Sequence, residues 1–352
     1  MTRFRTRRME PGDAQALNDA YNSLGVSPFR PLTEMQRIWH GGPGGPVKSW
    51  IVEADDGAGW RLIGHHGLCP IRFTFDKQDL LFAKTVNSFV LPEFRHRFVY
   101  LRFEQRCLAE VEQEFDATYT LAGLAVPWRG ALGYDTSTPE LDFEQGLRSP
   151  QLLSRILLRA ARHSRLIVSL RPWALLPRYR SLEATVELND PGCNSGFFVD
   201  FWDQARITAG LAPRRDIADL TWRFWDRPGH HATLIQKWPC GTRGYGIVRT
   251  SDHLHFTLED IFLTTPQPAF LRALLKGILS WCADCGGLML SFMTTAESQP
   301  PQMLAVYRQQ LGSSFSIRHR SQHLSRRLTA RGLERIGSQW PPMNVTAVAA
   351  IA

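Results

Sequence analysis

The stretch from Leu81 to Tyr134 constrains the fold of this chain more than any other part of the sequence. Leu81 to Val90 (LFAKTVNSFV) is rich in β-branched and aromatic residues, which favour a strand. Apolar residues recur on one face between Arg95 and Glu114, which predicts a helix. Thr118 to Gly123 predicts a second strand, and Leu132 to Tyr134 closes the unit. The stretch therefore predicts strand, tight turn, helix, strand, short helix and strand.

The turn between this first strand and its helix is suited to holding a phosphate. The first N–H groups of a helix have no partner within the helix, and the helix dipole is positive there. We therefore expect an anion site where the predicted strand ends and the helix begins.

The same residues resemble the core of the GNAT acyltransferases. In that family a strand ending near V-x-P-x-(Y/F)-R leads into a pyrophosphate-binding loop, and the last strand carries L-G-(F/Y). The matching positions here are Val90, Pro92, Phe94, Arg95, Leu132, Gly133 and Tyr134. The resemblance implies an acyl-CoA co-substrate. The residues that it implies for binding this co-substrate are Val90, Arg95, His96, Arg97 and Phe98.

The pyrophosphate loop of this chain departs from the family pattern Q/R-x-x-G-x-G/A. Arg95 fits the first position, but Phe98 and Tyr100 stand where the family has small residues. Small residues let backbone N–H groups approach the pyrophosphate closely. Two interpretations stay open: a loop that binds acyl-CoA, and a GNAT-shaped unit that does not use its cofactor loop.

Residues 1 to about 145 follow the order of elements found at the start of many GNAT chains. Phe4 to Met9 predicts a strand, and helices are predicted from Ala14 to Leu24 and from Thr33 to His40. Antiparallel strands are then predicted at Ser49–Glu53, Trp60–Cys69 and Ile71–Phe75.

The second half repeats this scheme with almost no sequence identity. Helices are predicted at Asp200–Ala209, Ile217–Trp225, Phe270–Asp284 and Pro301–Leu311, and strands at His231–Lys237, Gly244–Thr250, Leu254–Phe262, Leu288–Met293 and Phe315–His319. The predicted fold class is α/β with mixed sheets, as two GNAT-like domains in tandem. The predicted boundaries are 1–145 and 199–335 for the domains, 146–198 for a basic helical connector and 336–352 for a tail.

A segment of the second half resembles tandem GNAT proteins of polysaccharide and amino-sugar pathways. It contains Arg215, Asp216, Leu220, Trp222, Arg223, Phe224 and Pro228. Some of those proteins move an acyl group from coenzyme A to the amine of a nucleotide-linked sugar. The resemblance therefore implies an amino-sugar acceptor.

The connector is strongly basic. Gln151 to Arg165 is amphipathic by spacing, and no Asp or Glu occurs between Gln151 and Leu182. Such a segment can lie on an anionic bilayer. The alternatives are a solvated helical connector and a wall that faces an anionic acceptor.

Acyl transfer to an amine needs a base, a donor for the thioester oxyanion and an acid for the leaving thiolate. GNAT enzymes commonly use a Tyr for the acid, a few residues before the closing Gly-Tyr. Arg129 takes that place in the first half, and Tyr307 is the corresponding candidate in the second. His66, in an apolar strand beside His65, is the candidate base of the first half. A core tyrosine or histidine without a catalytic role is the alternative for each.

A carboxylate inside an apolar strand is costly unless it is paired or faces a cleft. Asp260 is such a residue and is our candidate catalytic carboxylate of the second half; its alternative is a buried partner for Arg215 or Arg223. Asn87 and Ser88 are polar positions within the strand that precedes the loop. Together with Arg215 and Arg223 they are the candidate substrate-binding residues.

Composition narrows the partners only in part. The formal charge of +8 suits an anionic partner such as a nucleotide, coenzyme A or an anionic membrane. The arginines are dispersed without a nucleic-acid-binding motif, so no nucleic acid is expected. The six cysteines are irregularly spaced, which favours reduced thiols in a cytoplasmic protein and no metal, with Cys282 and Cys285 packing at a helix end. No secretory signal or membrane-spanning run is recognised.

The functional hypothesis is an N-acyltransferase that moves an acyl group from acyl-CoA to a small-molecule amine, with an amino sugar as the implied acceptor. The protein would be cytoplasmic, with peripheral contact to the inner face of the membrane as a further expectation. Two alternatives stay open: a transferase that takes its acyl group from acyl carrier protein or aminoacyl-tRNA, and a catalytically silent GNAT-fold binding protein.

Overall fold

The computed structural model describes most of both halves of the chain. The described residues are 2–25, 31–97, 99–122, 126–146, 185–188, 195–227, 230–250, 254–287, 289–295, 301–311 and 323–337. The predicted basic connector helix and the predicted strand Phe315–His319 lie outside the described residues.

The described residues of the first half form six strands. In chain order its elements are β1 (Arg3–Arg8), α1 (Ala14–Ser23), α2 (Leu32–His40), β2 (Lys48–Asp55), β3 (Trp60–Phe75), β4 (Gln78–Val90), a 3-10 turn (Pro92–Arg97), α3 (Val99–Val111), β5 (Ala117–Ala122), α4 (Val126–Ala131) and β6 (Asp135–Gly146).

The second half follows in a similar order. Its elements are β7 (Thr185–Leu188), α5 (Ser195–Ala205), β8 (Ala212–Pro213), α6 (Ile217–Leu220) with a π turn (Thr221–Trp225), β9 (His230–Lys237), β10 (Arg243–Thr250), β11 (His255–Leu263), α7 (Pro268–Asp284), β12 (Met289–Thr295), α8 (Pro301–Gln310), β13 (His323–Leu328) and α9 (Ala330–Ile336).

The strands of the two halves join through β6. The order across the described strands is β1-β2-β3-β4-β5-β13-β6-β12-β11-β10-β9-β7, with β8 pairing to β3. The start of β6 pairs with β13, and its later part, from Glu140 to Gly146, pairs with β12. β6 therefore begins in the sheet of the first half and ends in that of the second.

The last strand, β13, crosses back into the first half. It pairs antiparallel with β5 from His323↔Ala122 to Leu328↔Ala117, and it separates β5 from β6. The predicted domain boundaries stay a prediction, but this pairing places a strand from within 199–335 in the sheet of the first half.

Helices cover both faces of the first sheet. α3 packs on one face, where Trp50, Phe103 and Val111 are buried together. α1 and α2 pack on the other, around Leu17, Met35 and Phe89. This arrangement gives β4, in the middle of the order, one face toward α3 and one toward α1 and α2.

The mixed α/β fold class and most predicted elements are present, with three corrections. Ile71–Phe75 is not a separate strand, because β3 continues through Pro70; β2 pairs with β3 only as far as Leu68, so a residue without an N–H is tolerated beyond it. The closing strand begins at Asp135, after Leu132–Tyr134, which end the α4 turn. The helix predicted at Asp200–Ala209 runs from Ser195 to Ala205 instead.

Candidate active site

β4 carries a bulge at Asn87 and Ser88. The register with β3 shifts between His65↔Phe89 and Gly67↔Val86, so that Asn87 and Ser88 oppose His66. Asn87 has a positive φ of 52°, a conformation that Asn tolerates better than most residues. A bulge re-aims the side chains that follow it, and bulges are frequent beside active sites.

β4 and β5 diverge close to this bulge. They pair in parallel only at Phe82↔Ala117, Ala83↔Thr118 and Lys84↔Tyr119. β4 then continues to Val90 without a β5 partner among the described residues. We call this divergence of β4 from β5 the splay.

His66 and Ser88 meet at the bulge. Nδ1 of His66 lies 2.9 Å from Oγ of Ser88, which is partly exposed. His66 itself is fully buried beside Trp50 and Phe103. Burial, with a smaller effect of the Arg129 charge, lowers the pKa of His66 to about 3. The imidazole is thus neutral at neutral pH, and its low pKa makes it a weak base.

His65 is held on the opposite face of the sheet. Its Nδ1 lies 2.9 Å from the carbonyl oxygen of Asn87. A carbonyl can only accept, so Nδ1 carries the hydrogen and Nε2 presents a lone pair. Burial lowers the pKa of His65 to about 4, although the hydrogen bond to Asn87 opposes this effect. The bulge thus fixes the tautomer of His65.

A buried polar cluster lies under the first turns of α3. Its members are Tyr100, Glu104, Thr118, Arg129 and Tyr134. The guanidinium of Arg129 lies 3.6 Å from the Glu104 carboxylate and donates to the Tyr100 hydroxyl at 3.4 Å. The Tyr134 hydroxyl donates to Glu104 at 3.4 Å and accepts from Thr118 at 3.2 Å.

The charges of this cluster hold its protons in place. Burial acts to lower the pKa of Arg129, but the Glu104 carboxylate and the neighbouring tyrosines outweigh it, and the pKa is raised. Burial, followed by the effect of Glu104, raises the pKa of both Tyr100 and Tyr134. Arg129 therefore stays charged, and both tyrosines stay protonated, at neutral pH.

Several buried atoms around the splay have no hydrogen-bond partner within the described part of the chain. They are Nε2 of His66, Oγ1 of Thr85, Oε2 of Glu104, and Nε and Nη1 of Arg129. Buried polar groups normally have partners, so such a concentration needs an explanation. It fits a site whose donors and acceptors are meant for a substrate.

The predicted cofactor-binding residues surround the end of β4. Val90 is buried, and the exposed Arg95 donates from Nε to the Val90 carbonyl at 2.9 Å. The backbone of His96 and Arg97 belongs to the 3-10 turn before α3. Phe98 lies outside the described residues. These assignments stay predictions.

A cavity of about 300 Å³ borders the first turns of α3. Its lining includes Val99 together with Arg5, Arg102 and Arg106. Arg5 is paired with Glu53 and Arg106 with Glu110, so the cations are in part balanced. Guanidinium groups beside the start of a helix favour an anionic group.

The candidates of the second half form a separate, sealed cluster. Asp260 binds Arg215 through both carboxylate oxygens, at 3.0 and 3.2 Å, and accepts from the Tyr245 hydroxyl at 2.6 Å. Asp260 and Arg215 are both fully buried. This is the alternative that the sequence left open for Asp260, a buried ion pair, and its geometry does not support a carboxylate facing a cleft.

Tyr307 and Arg223 lie near this ion pair. Burial and the charge of Asp260 raise the pKa of Tyr307, whose ring stacks on Phe292 in the core. Arg223 is buried and donates to the carbonyl of Arg214. The structure thus brings Asp260, Arg215 and Tyr307 together in one half, and His66 with Ser88 in the other.

Sequence reasoning missed part of the α3 cluster. Arg129 was noted because it takes the place of the family's tyrosine, and Tyr100 because it replaces a small residue. Glu104 was missed, because a single Glu in an amphipathic helix is normally a surface residue. Its spacing of one turn from Tyr100 was the available signal.

Among the described residues, no group of three His, Cys, Asp or Glu side chains is placed to hold a metal ion. Within the same residues, no helix is both long and apolar enough to cross a membrane. Cys282, in the last turn of α7, is buried in the core, and Cys285 is exposed just beyond the end of that helix.

Known proteins resemble this chain in structure rather than in sequence. No family model and no curated protein matches it. A protein of unknown function from Enterococcus faecalis, described as a probable N-acyltransferase, is 12% identical with a TM-score of 0.57, over 94% of this chain and 74% of that one. A GCN5-related N-acetyltransferase from Anabaena variabilis is 13% identical with a TM-score of 0.58, over 93% and 73%.

A third similar structure is the N-myristoyltransferase of Saccharomyces cerevisiae with bound myristoyl-CoA. It is 10% identical with a TM-score of 0.57, over 96% of this chain and 84% of that one. These likenesses show that the chain has the GNAT fold over most of its length, as the residues around β4 predicted.

Proposed function

We propose that this GNAT-fold chain is an N-acyltransferase that moves an acyl group from a thioester to an amine, and that the first half carries the chemistry. The observation that supports the proposal is the coincidence, at one point of β4, of a bulge, a splay and unpartnered buried polar atoms. The candidates of the second half are instead saturated by one another.

We assign residues around the splay to the three requirements of acyl transfer. Arg129 supplies an N–H donor for the oxygen that becomes negative, since its Nε has no hydrogen-bond partner within the described residues, whereas its Nη1 is paired with the Glu104 carboxylate. Tyr100, whose raised pKa keeps its hydroxyl protonated, is placed to donate a hydrogen bond to the leaving thiolate rather than to give up its proton. His66, whose ring Ser88 orients from Nδ1, is our candidate to receive the amine proton; because its pKa is about 3, it must pass that proton on to solvent rather than hold it.

We propose acyl-CoA as the donor. Arg95 at the end of β4 and the arginine-lined cavity beside α3 support an anionic co-substrate. Tyr100 in place of a small residue supports the alternative of a donor presented by acyl carrier protein or aminoacyl-tRNA. The acceptor that we propose is the amine of an amino sugar or nucleotide-linked sugar, and its support is the sequence resemblance around Arg215 and Trp222 alone.

Calorimetry with acetyl-CoA and free coenzyme A tests the donor. We expect micromolar binding that Arg95→Ala weakens, because this change removes a cation beside the phosphates. Arg61→Ala, an exposed arginine whose guanidinium lies over Phe94, is the matched control and should bind as the parent does. Absence of heat at millimolar ligand would exclude free acyl-CoA and favour carrier-bound donors or a silent binding protein.

An acceptor screen tests the reaction itself. Glucosamine and UDP-glucosamine with acetyl-CoA should yield an amide detectable by mass spectrometry, and Arg129→Gln should reduce kcat by about 10²-fold, as expected on losing an oxyanion donor. If acetyl-CoA binds but neither amine is acylated, the proposed class of acceptor is wrong and the proposed donor is still supported.

A further inference from the structure

The cavity beside the first turns of α3, which we call the α3 cavity, lies at an edge of the first sheet. It has a volume of about 300 Å³ and is lined by residues of β1, β2 and α3. β1 ends the order of the described strands, and three strand spacings, about 14 Å, separate it from β4. The α3 cavity is therefore a different place from the splay.

Alternate side chains of β1 face α3. Arg8 pairs with Glu110 of α3 at 3.1 Å, and the Phe4 ring lies 6.1 Å from that of Phe94, in the turn before α3. Thr6 lies between Phe4 and Arg8 and belongs to the same face, because side chains alternate along a strand. The Thr6 side chain is therefore directed toward α3, and Thr6 is part of the cavity lining.

One stripe of α3 forms the opposite wall. It consists of Val99, Arg102, Phe103 and Arg106, which are three or four residues apart and so lie on one face of the helix. Val99 and Phe103 are buried and, with Val52 of β2, make an apolar floor. The two arginines are exposed and border the same cavity.

The lining carries positive charge and an accessible donor. Among the described residues, Arg102 has no ion pair and the Thr6 hydroxyl has no hydrogen bond, yet neither is sealed from solvent. Arg106 belongs to an ion pair within α3 at 3.7 Å but is 62% exposed. The described lining contains no Asp or Glu. Arg5 also belongs to the lining, but its guanidinium binds Glu53 on the opposite face of the sheet, so its charge is directed away from the cavity.

These groups match a phosphate monoester. A guanidinium binds phosphate oxygens through two parallel N–H groups, and a hydroxyl can donate to a third oxygen. At neutral pH a phosphate monoester has three terminal oxygens and about 1.5 to 2 negative charges. One tetrahedral phosphate can thus bridge the donors of α3 and β1, whereas a planar carboxylate offers only two oxygens.

We propose that the α3 cavity binds a phosphate monoester. Its phosphate accepts from Arg102, Arg106 and Thr6, and its ester group packs on Val52 and Phe103. Two sources share this chemistry. One is the 3′-phosphate of an acyl-CoA, in which case the assignment rests on the proposed function, and the other is a separate phosphorylated compound.

Calorimetry of the full chain with phenyl phosphate tests the site, because this probe carries a phosphate and a ring but no acyl group. We expect saturable binding in the millimolar range or tighter, and weaker binding as salt is added, because both guanidinium groups are exposed. Phenol, which has the ring without the phosphate, should give no saturable heat. Benzoate should bind more weakly than phenyl phosphate, because it has one charge and two oxygens.

Two variants locate the bound phosphate. Arg102→Gln should weaken binding of phenyl phosphate about tenfold, as the loss of one hydrogen bond from a charged donor predicts. Thr6→Val, which keeps the shape of the side chain, should weaken it about threefold or more. Arg308→Gln is the matched control, since it removes the same charge from an exposed position on α8, and it should leave binding unchanged.

The proposal fails if phenyl phosphate gives no saturable heat in the millimolar range, if phenol binds equally well, or if Arg102→Gln and Arg308→Gln weaken binding to the same extent. Unchanged affinity in Thr6→Val would also contradict it. If acetyl-CoA displaces phenyl phosphate, the natural phosphate is that of the co-substrate; if it does not, the phosphate comes from a separate compound. Binding of phenyl phosphate does not require acyl transfer, so the site and the proposed function are tested separately.

Discussion

At the scale of single residues, the Glu104–Arg129 pair is the feature that most distinguishes the first half. Both side chains are almost fully buried, at 0% and 2% exposure. Buried charges are stable only while each keeps its partner. The pair therefore links α3 to α4 beneath the splay, while Nε of Arg129 has no hydrogen-bond partner among the described residues.

Replacing Arg129 tests how far the stability of the fold depends on this ion pair. Arg129→Met leaves the Glu104 carboxylate buried without a cation, so we expect the free energy of unfolding to fall by about 3–5 kcal/mol in urea denaturation. Arg106→Met, which breaks an exposed pair on the same helix, should cost less than about 0.5 kcal/mol. Similar losses in the two variants would mean that the buried pair contributes nothing special.

The two histidines at the bulge make stability depend on pH. Their folded pKa values, about 4 for His65 and about 3 for His66, lie below the ordinary value of 6.5. Between pH 6.5 and these folded pKa values the unfolded chain binds more protons than the folded chain. The free energy of unfolding therefore decreases as the pH falls below 6.5. Each histidine contributes a loss on the order of 3–5 kcal/mol once the pH is below its folded pKa.

A variant without the His66 imidazole separates the effect of this histidine on stability from the titration of the carboxylates. His66→Gln keeps a side chain that can hydrogen-bond to Ser88 but cannot titrate. Its unfolding free energy should decline less steeply than that of the parent between pH 6.5 and pH 4. Parallel curves for the two proteins would show that His66 is not buried in its neutral form.

At the scale of elements, α9 is joined closely to the strand ends of the first sheet. Thr329 caps this helix through the N–H of Gly332, and the Thr329 hydroxyl also donates to the carbonyls of Phe115 and Asp116. Arg331 and Arg335 both pair with the Asp116 carboxylate at 3.0 Å. The segment after β13 is therefore bound to the two residues that precede β5.

A substitution at Gly332 tests the packing of α9 against Asp116. A Cβ there would lie 1.7 Å from the carbonyl oxygen of Asp116, so Gly332→Ala must displace α9, and we expect a loss of several kcal/mol in thermal or urea unfolding. Gly130→Ala is the control, since its Cβ in α4 meets no atom within 4 Å. That change should be neutral or stabilise by up to about 1 kcal/mol.

Elements were predictable where their determinants are local. The β-rich run before Pro92 and the apolar periodicity of α3 were enough to predict β4 and its helix. β3 was divided wrongly at Pro70, because a proline in a strand is harmless only where no neighbour needs its N–H, and that depends on the extent of β2. The bulge at Asn87 has no local signal beyond the residue type, since Asn tolerates positive φ without requiring it.

At the scale of the whole molecule, the two halves depend on each other. β6 spans both sheets, and β13 returns from the second half to lie between β5 and β6. Arg72 of β3 also binds Asp216 and Asp219 of the second half, at 2.9 and 2.6 Å. Such long-range pairings could not be predicted from the sequence, because they depend on tertiary partners rather than on local pattern. The order of elements, which is local, predicted two domains in tandem.

The pairing predicts how an isolated first half behaves. A fragment of residues 1–146 lacks β13, so β5 and β6 keep unpaired edges, and Asp116 loses both of its arginine partners. We expect no sharp unfolding transition by calorimetry, and a tendency to aggregate. The full chain under the same conditions is the control. A cooperative transition in the fragment would show that β13 is dispensable.

The position of β13 also has a consequence during translation. β5 and β6 leave the ribosome early, but the strand that separates them ends only at Leu328. At roughly 5–20 residues per second, the gap between the end of β6 and the start of β13 takes on the order of ten to thirty seconds to synthesise. During that time the edges of β5 and β6 are exposed and must not pair with each other. We therefore expect the yield of folded protein to depend on chaperones more than it does for a protein whose strands pair in the order in which they are synthesised.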